Sequence, residues 1–102
     1  SLPLDNPQAE IIFMNKVFCF TGTFIFGTRK KCLISIEQKG GIGINYISSD
    51  LDYLIIGSYA TDSWIHSTYG RKIEEAMDLK SSGHKIKITS EETFVKALEN
   101  YQ

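Results

Sequence analysis

The chain has 102 residues, 42% of them hydrophobic and 12% aromatic, which suits one domain with a single core and is too apolar for a disordered segment. A formal net charge of −1 gives no whole-molecule attraction for nucleic acid, so any anion site must be local, built from clustered cations on a near-neutral body. No apolar run approaches the roughly 18 to 20 residues of a membrane span and no secretory signal is seen, so the expected setting is cytoplasmic, without membrane contact.

Residues 1–14 hold Pro3 and Pro7 with little periodicity and read as a linker or N-terminal arm, with the organised domain over residues 15–102. Within the arm, Ile11, Ile12 and Phe13 suit either folding back on the domain or packing on a neighbour. Ser1 in place of Met points to a piece of a longer protein or a tag remnant. A buried strand is expected over residues 17–20, running into a Thr21-Gly22 turn. A helix over residues 28–39 follows, with Thr28 as N-cap, Cys32, Leu33 and Ile36 as its inward stripe, and Gly40-Gly41 as its stop.

Two short strands are expected next, over residues 42–47 and 53–56. The five-residue connection between them suits a hairpin. The run Tyr53-Leu-Ile-Ile56, apolar without alternation, suits instead a strand covered on both faces of a parallel sheet, and the local pattern leaves both open. A polar loop over residues 57–68 carries Trp64 and His66, and a second helix over residues 67–82 places Tyr69, Ile73, Ala76 and Met77 on one side before Gly83. A strand at residues 86–88 leads to a third helix over residues 89–101. Thr89 or Ser90 can cap that helix, Glu92 completes a Thr-x-x-Glu capping box from Thr89, and Phe94, Leu98 and Tyr101 form its core stripe. The order is β-α-β-β-α-β-α, without internal repeats.

The chemistry concentrates where the first strand runs into the first helix. Helix N-termini beside the carboxyl ends of parallel strands present unpaired N–H groups and the positive end of a dipole. Arg29, Lys30 and Lys31 oppose that dipole unless an anion arrives, which points to phosphate. Each part alone has a plainer reading: Thr-Gly after a strand is often only a turn, and cations at helix starts are usually solvated. Tyr59, Trp64 and Tyr69 suit stacking on an unpaired base or packing on the domain itself. Cys19 and Cys32 form no C-x-x-C pair and stand far from His66 and His84, so buried free thiols in a reducing compartment are expected, with no metal site. There is no nucleophile–base pairing and no phosphate-binding lysine loop of the Walker type, so no catalytic activity and no cofactor are expected in these residues.

Taken in order, Val17-Phe-Cys-Phe-Thr-Gly22, Gly40-Gly41, Asp52-Tyr-Leu-Ile-Ile-Gly57, Gly70-Arg-Lys72 and the Lys85-Ile-Lys-Ile88 strand before a capped last helix resemble a BRCT domain over about residues 15–101. The likeness is to the single BRCT domains of NAD-dependent bacterial DNA ligases and of the replication factor C large subunit. It lies in order and spacing rather than in any one element. It implies an α/β, three-layer fold: a four-stranded parallel sheet in the order 2-1-3-4, with helices 1 and 3 on one face and helix 2 on the other. One departure is plain, since Phe94 stands where the family usually has Trp.

The resemblance also implies a phosphate pocket. Thr21 matches the family's hydroxyl donor, Gly22 its backbone N–H donor, and Lys72 the lysine of the second helix. Arg29 sits at the offset of an arginine that contacts a DNA 5′-phosphate in the replication factor C-like domains. Lys30, Lys31 and Arg71 would form a basic rim around them. The expected function is a non-catalytic DNA-binding module of a replication or repair protein, holding a DNA phosphate, in particular a 5′-phosphorylated end. The alternative is a protein-interaction module that binds a phosphopeptide or a partner domain, or forms a homodimer. Phosphopeptide reading in this family usually draws on tandem repeats, and a single repeat is present.

Overall fold

The computed structural model describes residues 1–101. The elements are β1 (Val17–Thr21), α1 (Arg29–Glu37), β2 (Ile42–Gly43), β3 (Tyr53–Ile56), a 3₁₀ turn (Trp64–His66), α2 (Gly70–Ser81), β4 (Lys87–Ser90) and α3 (Glu91–Asn100). The four strands form one sheet in the order β2-β1-β3-β4. Every pairing is parallel: Val17 lies opposite Ile42, Phe18 opposite Tyr53, and Tyr53 opposite Lys87. The hairpin alternative is thereby excluded, because β2 and β3 flank β1 from opposite sides. All four residues of β3 are buried, which is what an apolar run without alternation requires when both faces of the sheet are covered.

The alternation of side chains along β1 and β3 divides the core into two layers. Phe18, Phe20, Tyr53 and Ile55 face Cys32 and Ile36 of α1 and Phe94 of α3. Cys19, Leu54 and Ile56 face Ile73 and Ala76 of α2 on the other side, with Ile88 of β4. Phe94 is fully buried, and its ring meets Phe20 edge-on at 5.3 Å and Phe26 edge-on at 5.7 Å. Aromatic neighbours thus surround the position where the BRCT resemblance expects the larger Trp.

Residues ahead of β1 pack on the same body. Ile11 and Phe13 are buried in the first layer, Leu2 and Leu4 lie against the second, and Ile12 stays exposed. The Asp5 N–H donates to the Ile88 carbonyl at 2.9 Å. The Gln8 amide donates to the same carbonyl at 3.2 Å and accepts from the Ser90 N–H at 2.8 Å. These bonds pair the outer edge of β4, whose open backbone groups would otherwise be a template for another strand.

Several boundaries differ from expectation, each for a physical reason. Thr28 caps α1 as expected, accepting from the Lys31 N–H at 3.1 Å, but the helix ends at Glu37 rather than residue 39. The chain then turns at Gly40, which takes φ +81°, a conformation with little strain only for glycine. The second helix begins at Gly70, not residue 67, because the 3₁₀ turn occupies the preceding segment. A Cβ at Gly70 would overlap the Trp64 carbonyl oxygen, so only glycine lets the helix start against that turn. Thr89 forms no capping box: it is a buried residue of β4 opposite Ile55, and Ser90 caps α3 by accepting from the Thr93 N–H at 3.1 Å. Glu92 is left to pair with Lys96 one turn along the surface.

The largest departure is β2, expected over residues 42–47 and present only at Ile42–Gly43. The Ile42 and Ile44 N–H groups donate to the Lys16 and Phe18 carbonyls, both at 2.9 Å. By the same two-residue step the next acceptor would be the Phe20 carbonyl. Arg29 already holds it, through Nη1 at 2.6 Å. The strand therefore leaves the sheet. Among the described residues, no helix is long and apolar enough to cross a membrane.

Candidate functional site

The sheet order makes the carboxyl ends of β1 and β3 a switch point: the chain leaves β1 toward α1 on one face and β3 toward α2 on the other. In open parallel sheets this is where a crevice forms. Gly22 ends β1 with φ +83° and lies against Gly57, which ends β3; a Cβ on Gly22 would stand 3.6 Å from the Gly57 nitrogen. A Cβ on Gly57 would in turn overlap the Thr23 carbonyl. Two glycines thus let the loops after adjacent strands meet closely.

A cleft of about 250 Å³ opens at this point, lined by Thr21, Gly22, Thr23, Arg29, Thr68, Tyr69 and Lys72. All four residues assigned to phosphate binding therefore border one cleft. Thr21 is almost fully buried yet still reaches it. The Gly22 N–H donates to no backbone acceptor among the described residues. Lys72, in the first turn of α2, pairs with no carboxylate among the described residues. The rim residues lie apart from the cleft. Lys30 is exposed on α1, Lys31 sits 4.6 Å over the Phe26 ring, and Arg71 is 90% exposed with Glu75 at 3.9 Å.

Arg29 is more constrained than a free cation. Its guanidinium donates from Nη1 to the Phe20 carbonyl and from Nη2 to the Gly22 carbonyl at 2.8 Å, and it stands 5.9 Å from the Phe24 ring centroid. Those bonds hold the planar group at the end of β1 and leave its other N–H groups free for an acceptor. The buried Cys19 thiol registers the local field. Burial pushes its pKa up, while the charges of Lys72 and Arg29, from two different helices, pull it down. A hydroxyl, a backbone donor, an ammonium and part of a guanidinium around one opening form a donor set for a compact anion.

No protein-family model matches the chain. It is, however, similar to segments of bacterial DNA ligases. The DNA ligase of Fusobacterium nucleatum is 34% identical over 89 residues, which cover 87% of this chain and 11% of the ligase. That of Thermotoga neapolitana is 34% identical over 83 residues, 81% of this chain and 10% of the ligase. The DNA ligase of Onion yellows phytoplasma is 32% identical over 97 residues, 95% of this chain and 12% of the ligase. The chain spans about a tenth of the length of the curated relatives it matches.

Two features around the cleft go beyond what the sequence pattern showed. Glu91, the first residue of α3, is buried and gathers three backbone donors: Ile25 at 3.1 Å, Phe26 at 2.6 Å and Ser58 at 2.8 Å. Burial pushes its carboxyl pKa up, but the bonds from Ser58, Phe26 and Ile25 outweigh that and hold it below the ordinary value. It ties the loop after β1 to the loop after β3, the two walls of the cleft. Tyr69 is the second: its hydroxyl accepts from the Thr61 N–H at 3.2 Å, so the ring is fixed at the cleft mouth. Trp64 is buried, and its indole N–H donates to the Ser1 carbonyl at 3.2 Å, so it packs rather than offering a face; Tyr59 remains exposed.

Proposed function

We propose that the chain is a BRCT-like, non-catalytic module of a cytoplasmic DNA replication or repair protein, and that it holds a DNA phosphate, in particular a 5′-phosphorylated end. Residues 15–102 make up the module and residues 1–14 an N-terminal arm laid against it. The observation that carries the reading is the convergence of Thr21, Gly22, Arg29 and Lys72 on one cleft at the carboxyl ends of β1 and β3. The Thr21 hydroxyl and Gly22 N–H supply directional donors, Lys72 supplies charge, and the remaining Arg29 N–H groups supply a planar edge. Lys30, Lys31 and Arg71, outside the cleft, would meet the DNA backbone beyond the end. Similarity to segments of DNA ligases supports DNA as the partner, and any ligation chemistry would belong to other parts of such a protein.

Fluorescence anisotropy with recessed-end duplexes that differ only in a 5′-phosphate tests this. Phosphate should tighten binding, and Lys72→Ala should remove most of that gain while leaving the fold intact. Binding should weaken with salt, by a factor that grows with the number of phosphates neutralised. Equal affinity for the two duplexes, unchanged by Lys72→Ala, would sink the reading and turn attention to a protein partner.

A further inference from the structure

Arg29 borders a second cleft as well as the first. The Ile44 N–H is the last to bond β1, and with the Phe20 carbonyl held by Arg29 residues 45 and 46 leave the sheet; between residues 43–46 and α1 lies a cleft of about 370 Å³. Its lining includes Arg29, Leu33, Gly43, Ile44, Asn45 and Tyr46. The floor is apolar: a Cβ on Gly43 would overlap Leu33 Cδ2, so the glycine makes room for the leucine side chain. Tyr46 is 58% exposed, an aromatic ring left at the surface beside that floor. The Asn45 amide carries both a donor and an acceptor, the pair needed to read the edge of a heterocycle.

An apolar floor, an aromatic ring and an amide make a poor second phosphate site and a good one for a nucleobase, which needs stacking and edge hydrogen bonds. The two clefts share the Arg29 side chain, so a phosphate held on one side of it places the attached nucleoside at the entrance to the other. We infer that this second cleft takes the base of the 5′-terminal nucleotide whose phosphate occupies the first. This inference rests on the phosphate reading above. A base inside a cleft has left its partner and its stack, so a recessed 5′-phosphorylated end must fray its terminal nucleotide to fill the cleft, and an end whose terminal nucleotide is already unpaired is the better ligand.

The test uses the 102-residue chain and duplexes that carry a 5′-phosphorylated, unpaired terminal nucleotide, either intact or abasic. Removing the base should weaken binding by about fivefold to 150-fold, the range for loss of one base–aromatic stack. Tyr46→Ala should weaken binding of the intact end by a similar factor, and combining it with the abasic end should add little. Tyr46→Phe should restore affinity, since it keeps the ring, and 2-aminopurine at the terminal position should change its fluorescence on binding to wild type and not to Tyr46→Ala. If phosphorylated and unphosphorylated ends bind alike, the phosphate reading falls and this inference falls with it. If the phosphate preference persists while the abasic end binds as tightly as the intact one, or Tyr46→Ala binds like wild type, the base cleft alone is overturned.

Discussion

Replacing Glu91 by Gln changes one charge and one acceptor while leaving the shape of the side chain nearly intact. In the folded chain Oε1 accepts from the Ile25 and Ser58 N–H groups and Oε2 from the Phe26 N–H. A glutamine can keep its oxygen in one of these two places. With the oxygen at the Oε1 position, the amide NH₂ faces the Phe26 donor and that bond is lost. A hydrogen bond to a charged group contributes about 1.5–3 kcal/mol, and charge-assisted bonds are roughly twice as strong as neutral ones. One lost bond and two weakened ones give an expected destabilisation of about 2–4 kcal/mol at pH 7. Urea unfolding should show this as a lower midpoint at unchanged slope.

The pH dependence separates this account from a simple packing defect. The carboxyl of Glu91 titrates below its ordinary value of 4.5 in the folded chain. The unfolded state therefore takes up its proton first as pH falls. The stabilisation is fully present above the unfolded value and disappears as pH drops through the folded one. A protonated Glu and a Gln are close in shape and charge, so the stability curves of wild type and Glu91→Gln should converge in acid. A loss at pH 7 below about 0.5 kcal/mol, the ordinary range for a surface substitution, would refute the clamp. So would a loss that stays constant down to acid pH.

Other expectations follow from single contacts. Gly57→Ala should destabilise by about 2–3 kcal/mol, because its Cβ meets the Thr23 backbone rather than a movable side chain. It should also weaken any phosphate preference by parting the loops at Gly22, and thermal melts beside anisotropy would read both. Both cysteines are free and buried, and burial pushes the Cys32 thiol up to about 11 despite the nearby Arg29. At pH 8 neither thiol should react with iodoacetamide until the chain unfolds, and mass spectrometry after timed exposure checks this.

Legibility in the sequence varied with how local each determinant was. Tyr53-Leu-Ile-Ile56 has no alternation, and that alone is compatible with its place between β1 and β4, but the choice against a hairpin needed the order of all the elements together. Thr28 and Gly40 act on their own helix, and both do what their residue types suggest. Thr89 and Ser90 carry equivalent hydroxyls and both pair in β4; the Thr89 side chain is buried, and the Ser90 hydroxyl is the one that accepts from the Thr93 N–H. Glu91 looks in sequence like any acid that favours a helix start. Its three donors come from loops 33 to 66 residues away, so no local pattern reveals the clamp. Ile11 and Phe13 were visibly apolar, but without periodicity their direction depended on a core formed elsewhere.

Arg29 shows why the candidate site was only half legible. Its place at a helix start beside other cations suggests an anion, and the structure brings it to the cleft with Thr21, Gly22 and Lys72. The same guanidinium also holds the Phe20 and Gly22 carbonyls, which ends β2 early and opens the neighbouring cleft. Removing it would unsettle two loops and leave the partly buried Phe20 carbonyl without this donor, as well as deleting charge. A binding loss in Arg29→Ala would therefore follow under every reading of the cleft. Lys72 and Tyr46 carry no such second duty among the described residues: one is a cation without a carboxylate partner, the other an exposed ring. They are the two side chains at which a phosphate contact and a base contact can be separated from the fold that presents them.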